Sequence, residues 1–72
     1  MNKYVTYVCN IDDSYNQREI LIANSQNQAE EKLMERLCDR YDWDNPYDYD
    51  EFIKMADNYN VIIGDIIDIE EI

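Results

Sequence analysis

Alternating apolar and polar residues near the start of the chain predict a β-hairpin. In KYVTYVCNI (3–11), odd-numbered and even-numbered side chains fall on opposite faces, with the two-residue period of a strand. The turn-forming run DDSYNQ (12–17) then separates it from REILIAN (18–24), a second short run rich in Ile and Leu. Two strands joined by such a loop favour an antiparallel hairpin.

A four-residue apolar period predicts a helix over NSQNQAEEKLMERLCDRY (24–41). Asn24 or Ser25 can cap it, and Gln28 stands three residues after Ser25, as in a capping box. The stripe that faces the core is Ala29, Leu33, Leu37 and Tyr41, with Met34 and Cys38 beside it.

The other side of this helix is charged. Like charges recur there at i,i+4, in the rows Glu31, Glu35, Asp39 and Lys32, Arg36, Arg40. Such pairs repel each other, and the i,i+3 pairs Lys32–Glu35 and Arg36–Asp39 offset part of that repulsion. A solvated helix face is a sufficient interpretation.

A second, short amphipathic helix is predicted after residue 47. Asp48, with Glu51 three residues later, is a candidate N-terminal cap, although Pro46 could start the helix a turn earlier. Its apolar positions have helical spacing: Phe52, Met55, Ala56 and Tyr59.

The last segment, NVIIGDIIDIEEI (60–72), is rich in β-branched residues and predicts a third strand, in which Gly64 marks a bulge. The expected fold is a single α+β domain over residues 1–72, in the order β-β-α-α-β, with both helices packed on one face of an antiparallel sheet. Whether the last strand pairs within the chain or with another copy is left open, as is the oligomeric state.

The chain is strongly acidic, and its charge is unevenly distributed along the sequence. The 72 residues carry 17 acidic and 6 basic side chains, a net charge of −11. Residues 1–40 contribute −2, and residues 41–72, where ten acids stand with Lys54 alone, contribute −9. Such a field repels nucleic acid and anionic membranes and attracts a basic protein surface.

The residue types argue against an enzyme and a metal site. The chain has no His, so the commonest general base and metal ligand is missing, and Ser14, Ser25 and both cysteines lack a partner base. Paired carboxylates are plentiful, but so short a chain rarely encloses a catalytic pocket. The acidic run fails the EF-hand pattern at Pro46. We therefore expect no catalysis, no cofactor and no metal.

Cellular location is predicted from cysteine usage and from the start of the chain. Cys9 and Cys38 have no CxxC spacing, so we expect two reduced thiols. The first residues lack the pattern of a signal peptide, and no apolar run is long enough to cross a membrane. These features together predict a cytoplasmic protein.

The segment YDWDNPYDYDEF (41–52) concentrates carboxylates and rings. Carboxylates accept bidentate hydrogen bonds from Arg, and Tyr and Trp rings stack on guanidinium groups, so the segment suits the basic groove of a DNA-binding protein. Solubility or an ordinary partner-binding role explains the composition too, with Tyr41 and Phe52 anchoring the segment in the core. The candidate partner-binding residues are Asp42, Trp43, Asp44, Asn45, Tyr47, Asp48, Tyr49, Asp50 and Glu51. A second candidate contact is the hairpin loop, at Asp12, Asp13, Tyr15 and Asn16.

Over roughly residues 18–60, the order of these features resembles small acidic anti-CRISPR proteins of the type II-A group. The shared order is an Ile-rich strand, a polar cap, an amphipathic helix, Trp43 with acidic residues and a Tyr, then an acidic run into Phe52 and a short helix. The chain departs from that family in starting with a strand and in ending with VIIGDIIDIEEI, and the spacing from Trp43 to Phe52 needs a one-residue gap.

This resemblance implies a phage or mobile-element inhibitor that mimics PAM-containing DNA. Its partner would be a guide-RNA-loaded CRISPR nuclease, with no direct contact to nucleic acid. The residues implied to fill the PAM-reading cleft are Asp42, Asp44, Asp48, Asp50 and Glu51. The outline is also similar to small uncharacterised phage and plasmid proteins. An acidic mimic or partner-binding module that acts on another nucleic-acid-binding protein is the alternative.

Overall fold

A computed structural model describes residues 2–12, 14–44 and 46–69, with Tyr15 described through its backbone alone. Within these residues the chain forms an α+β fold in which two helices lie on one face of an antiparallel sheet, as predicted. The elements in chain order are β1 (Asn2–Asn10), β2 (Tyr15–Ala23), α1 (Gln26–Tyr41), α2 (Tyr49–Asn58), β3 (Val61–Ile63) and β4 (Ile67–Asp68).

The hairpin is longer than the sequence pattern predicted. β1 and β2 pair without interruption from Asn2 opposite Ala23 to Asn10 opposite Tyr15. The predicted loop over 12–17 is therefore wrong at its second half, because residues 15–17 belong to β2. Polar side chains did not prevent pairing there, since the ladder is made by backbone groups. Ser14 adopts a left-handed conformation, with φ 53°.

The end of the chain pairs with β1 of the same chain. β3 lies antiparallel to residues 8–10 and β4 antiparallel to residues 4–5. Together they form one edge of the sheet, and β2 forms the other, with β1 in the centre. The pairing left open by the sequence is thus intramolecular.

A bulge separates β3 from β4, as Gly64 suggested. Ile63 lies opposite Val8 and Ile67 opposite Val5, so three residues of the edge face two residues of β1. The backbone N–H of Gly64 donates to the Tyr7 carbonyl at 2.8 Å, and the Thr6 hydroxyl donates to the Gly64 carbonyl at 2.7 Å. The edge therefore stays attached to β1 through the bulge.

Both helices begin at the predicted caps. The Ser25 hydroxyl accepts from the Gln28 N–H at 3.2 Å, and the Gln28 side chain reaches back to the N–H of Asn24. Asp48 accepts from the Glu51 N–H at 2.9 Å, which starts α2 at Tyr49 and not a turn earlier. In the part of the chain that is described, neither helix combines the length and apolar character that a membrane crossing needs.

The core lies between the sheet and the helices. Phe52 is fully buried, as predicted, and Tyr41 is half-buried against the core. The predicted α1 stripe is buried at Ala29, Leu33 and Leu37. Buried apolar residues from the sheet are Tyr4, Val8, Leu21, Ala23 and Val61. Thr6, Asn10 and Glu19 add polar groups to the same face of the sheet.

Candidate functional site

The segment 42–48 connects the end of α1 to the start of α2 and is anchored by Trp43. The Trp43 indole stacks between Tyr41 and Tyr59, with ring centroids 5.0 and 5.2 Å apart, and tilts against Phe52 at 6.1 Å. Because both indole faces are covered, Trp43 holds the segment in place and offers no open face to a guanidinium group. Stacked and tilted aromatic pairs of this kind each stabilise by about 0.5–1.5 kcal/mol beyond area burial.

Two carboxylates of the segment also shape the backbone. Asp42 ends α1 in a left-handed conformation, with φ 57° and ψ 45°, and its N–H donates to the Cys38 carbonyl. Asp and Asn tolerate this conformation better than most residues. Asp48 caps α2 and places its charge at the positive end of that helix. Both side chains remain exposed, so a structural role leaves them accessible to a partner.

The predicted carboxylates are all at the surface. Asp42, Asp44, Asp48, Asp50 and Glu51 have exposed side chains. These charges can therefore meet a partner without rearrangement of the fold.

The predicted rings differ from one another in accessibility. Tyr47 is 89% exposed, whereas Tyr49 packs against Phe52 with ring centroids 5.7 Å apart. Burial, with the charges of Glu30 and Asp65 adding to it, raises the pKa of the Tyr49 hydroxyl to about 12. Tyr47 is thus the open ring of the segment, and Asn45 lies outside the described residues.

Sequence reasoning did not select the acidic row of α1 as part of the site. Glu31, Glu35 and Asp39 are exposed at i,i+4 spacing, and shallow grooves between α1 and the segment bring them beside Pro46 and Asp42. We call the combined region the acidic surface; it consists of Glu31, Glu35, Asp39, Asp42, Asp44, Asp48, Asp50 and Glu51. The repeat of acids at i,i+4 was the signal that could have included this row.

The basic row of α1 contacts β2. Lys32 donates to the Ile22 carbonyl, Arg36 donates to the Ile20 carbonyl at 3.0 Å, and Arg40 forms an ion pair with Glu19. All three acceptors belong to β2, so the cations are held along that edge of the sheet. The i,i+4 repulsion expected between them is offset by these contacts. Lys32 and Arg36 also line one groove with Glu35 and Asp39, so they offset part of the charge of the acidic row.

The second predicted contact has structural partners. The Asp12 carboxylate accepts from the Asn60 side chain at 3.2 and 3.3 Å, which ties the hairpin turn to the turn after α2. Asn16 is an exposed β2 residue opposite Cys9, and Tyr15 lies in the same strand by its backbone. Asp13 is outside the described residues. The predicted loop contact is therefore divided between a turn and a strand.

In residues 2–12, 14–44 and 46–69, neither the cysteines nor the carboxylates form a catalytic or metal-binding cluster. Cys9 and Cys38 are free, and burial raises the pKa of the Cys38 thiol, which disfavours its thiolate. Across those ranges no three Cys, Asp or Glu side chains come together in a group that could hold a metal ion.

Comparison of the chain with models of protein families, with curated proteins and with solved structures gives no match in any of the three. The resemblance to anti-CRISPR proteins therefore stays a prediction from the sequence.

Proposed function

We propose that this chain is a non-enzymatic DNA mimic that blocks the PAM-binding cleft of a guide-RNA-loaded CRISPR nuclease. Its acidic surface would occupy the arginines and lysines that otherwise contact the PAM duplex, so that DNA is excluded competitively. Its site of action would be the cytoplasm of a bacterial host. A phage or other mobile element would supply it.

The observation that carries the proposal is the excess of exposed carboxylates in the helix layer. Eight carboxylates are exposed on the acidic surface and outnumber the cations beside them: Lys32 and Arg36 line one groove with Glu35 and Asp39, and Lys54 lines another with Glu51. A surface meant only for solubility does not need so one-sided a balance, because mixed charges serve that purpose. A surface that replaces phosphates needs uncompensated negative charge over an extended area.

The spacing of the acids suits groups that bind phosphates. Residues four apart on a helix are displaced by about 6 Å along its axis. Duplex DNA advances by about 3.4 Å per nucleotide in each strand, so two steps cover nearly the same distance. The row Glu31, Glu35 and Asp39 therefore offers charges whose displacement along one axis is similar to two nucleotide steps along the duplex axis.

Carboxylates also imitate a second feature of a PAM duplex. Arginines that read guanine donate to a planar pair of acceptors, and a carboxylate supplies two such oxygens for bidentate hydrogen bonds. Asp44 and Asp50 are the candidates for this contact, since neither is a helix-capping residue and both side chains are exposed. Tyr47 can add a ring face beside them.

The test is a cleavage assay with a purified type II-A nuclease, its guide RNA and a PAM-containing duplex. We expect inhibition when the chain is added before DNA, and recovery of cleavage when duplex is added in excess. Replacing both carboxylates, Asp44→Asn with Asp50→Asn, should raise the half-inhibitory concentration about tenfold or more, because hydrogen bonds to charged groups each contribute about 1.5–3 kcal/mol.

A matched variant separates local contacts from net charge. Asp65→Asn with Asp68→Asn removes the same number of carboxylates from the bulge and β4, outside the helix layer, and it should inhibit nearly as well as the unmodified chain. Inhibition should weaken steeply with rising salt. Absence of inhibition at low salt would remove the nuclease as the target, and equal effects of the two variants would refute a localised mimic.

A further inference from the structure

The face of the sheet opposite the helices is apolar and open to solvent. Within the described ranges, no helix or strand covers it, and its side chains alternate with the buried ones of the core. Tyr7 is 61% exposed, Ile62 52% and Ile67 50%. We call this region the outer sheet face; its apolar members are Val5, Tyr7, Ile20, Ile22, Ile62 and Ile67.

These side chains form one continuous surface. Val5 of β1 lies directly between Ile20 of β2 and Ile67 of β4. Directly paired residues have Cβ atoms about 4.5–5.5 Å apart, so their side chains touch across the strands. β1 and β2 are nine residues long, and β3 with β4 form a third strand position beside β1. At about 3.3 Å per residue and 4.8 Å per strand, the sheet covers on the order of 400 Å² in projection. A patch of that size is in the range of the largest apolar patch on a soluble monomer, which is often functional.

Charge on the outer sheet face is the reverse of that on the helix layer. The described outward positions include Lys3 and Arg18 but no carboxylate, although the chain carries 17 acids. Arg18 lies opposite Tyr7, next to the apolar centre. The outer sheet face is therefore a broad apolar surface, and its described positions carry no carboxylate although the chain is strongly acidic.

We propose that the outer sheet face binds a second copy of the chain through the same face. A two-fold contact brings a patch against itself, which an apolar centre accepts and an acidic patch does not. Contact through the helix layer would oppose carboxylates to carboxylates, at a cost of several kcal/mol. Among the described surfaces, the outer sheet face is the one through which two chains of charge −11 can pair without placing carboxylates opposite each other.

The dimensions of the fold agree with such a pair. The principal extents are 33, 26 and 17 Å, and the shortest matches a sheet with one helix layer. The outer sheet face, at about 400 Å² in projection, is about half of the roughly 800 Å² per partner of a standard interface, which corresponds to a weak pair. Two sheets stacked about 10 Å apart would place both acidic surfaces on the outside of the dimer, facing in opposite directions.

Sedimentation of the unmodified chain from micromolar to millimolar concentration tests the proposal. We expect a mass that rises from one chain to two. Added salt should strengthen the association, because it screens repulsion between the copies while leaving apolar contact intact. This is opposite to the salt response of the acidic surface, so the two proposals fail separately.

A pair of variants locates the contact. Ile62→Glu and Tyr47→Glu each add one carboxylate at an exposed position, the first on the outer sheet face and the second in the helix layer. The first should weaken association on the order of a hundredfold, because like charges then face each other across the contact. The second should leave association unchanged. Association that survives Ile62→Glu would overturn the proposal.

Cysteine modification of the unmodified chain tests the same contact and does not depend on whether a variant folds. Cys9 is half-buried on the outer sheet face, opposite Ile62, whereas Cys38 is buried near the helices. A small maleimide should modify Cys9 more slowly as concentration rises, with no such change at Cys38. One-chain mass at every concentration and salt, with a constant Cys9 rate, would overturn the proposal.

Discussion

Removing the cation that neutralises Glu19 should be among the most damaging single changes to this fold. Glu19 is 3% exposed, and its carboxylate accepts from Arg40 on one oxygen and from Gln17 on the other, at 3.3 Å. Arg40→Met keeps the hydrocarbon stem over the sheet and removes the guanidinium. The carboxylate is then left at the sheet–helix boundary without that ion pair.

The expected loss follows from the burial of the two partners. Breaking a buried ion pair by removing one member costs about 3–5 kcal/mol. The Arg40 side chain is 30% exposed, so water screens part of the interaction and we expect about 2–3 kcal/mol. A chain of this length has a free energy of unfolding of about 4–11 kcal/mol. The midpoint of thermal unfolding should therefore fall by about 10–20 °C.

Urea unfolding followed by tryptophan fluorescence measures this loss, because the single Trp43 lies between two tyrosine rings. Arg36→Met is the control, since its guanidinium is exposed and donates to a backbone carbonyl; it should cost less than about 1 kcal/mol. Adding Glu19→Gln to Arg40→Met should recover much of the loss. Equal costs for the two arginine variants, or no coupling between Glu19 and Arg40, would refute the reasoning.

Three further changes have expected outcomes. Asp48→Ala should lower the free energy of unfolding by about 1 kcal/mol through loss of the α2 cap, while Asp48→Asn keeps the cap and should cost less, as urea unfolding would show. Gly64→Ala should be neutral or stabilise by about 0.4–1 kcal/mol, because a Cβ there meets the Tyr7 carbonyl at an ordinary 3.6 Å and φ is not positive; a loss beyond 1 kcal/mol would contradict this. The raised pKa of Tyr49 stabilises the fold below pH 10, and this contribution should disappear as pH rises from about 10 to about 12. Tyr49→Phe should lack that part of the pH dependence in thermal unfolding.

Local signals were sufficient to predict most of the fold. The capping residues Ser25 and Asp48, the apolar stripe of α1 and the two-residue period of β1 each act over a few neighbours, and the structure confirms all of them. The polar run that begins β2 was missed because strand pairing there depends on the backbone of β1 and not on side-chain polarity.

The candidate site was predictable only in part, for a physical reason. The exposed carboxylates around Trp43 follow from their polarity, but the fate of Lys32, Arg36 and Arg40 depends on acceptors 10 to 21 residues earlier in the chain. No pattern within one helix specifies such partners. The position of the acidic row of α1 beside the segment 42–48 also depends on tertiary packing, through grooves that bring Pro46 and Asp42 next to it.

The bulge at 64–66 decides which side chains of the last edge lie on which side of the sheet. With the extra residue, Ile67 lies opposite Val5 on the outer sheet face, and Asp68 lies on the helix side, where it accepts from the Asn2 side chain at 2.9 Å. If the register of β3 continued unchanged, Asp68 would fall opposite Lys3 instead, on the apolar face. This segment should therefore tolerate changes of residue type better than an insertion. With the bulge retained, one residue inserted before Ile67 would move Asp68 to the outer sheet face, opposite Lys3. Deletion of one residue from 64–66 would instead give a continuous ladder with Ile67 still opposite Val5.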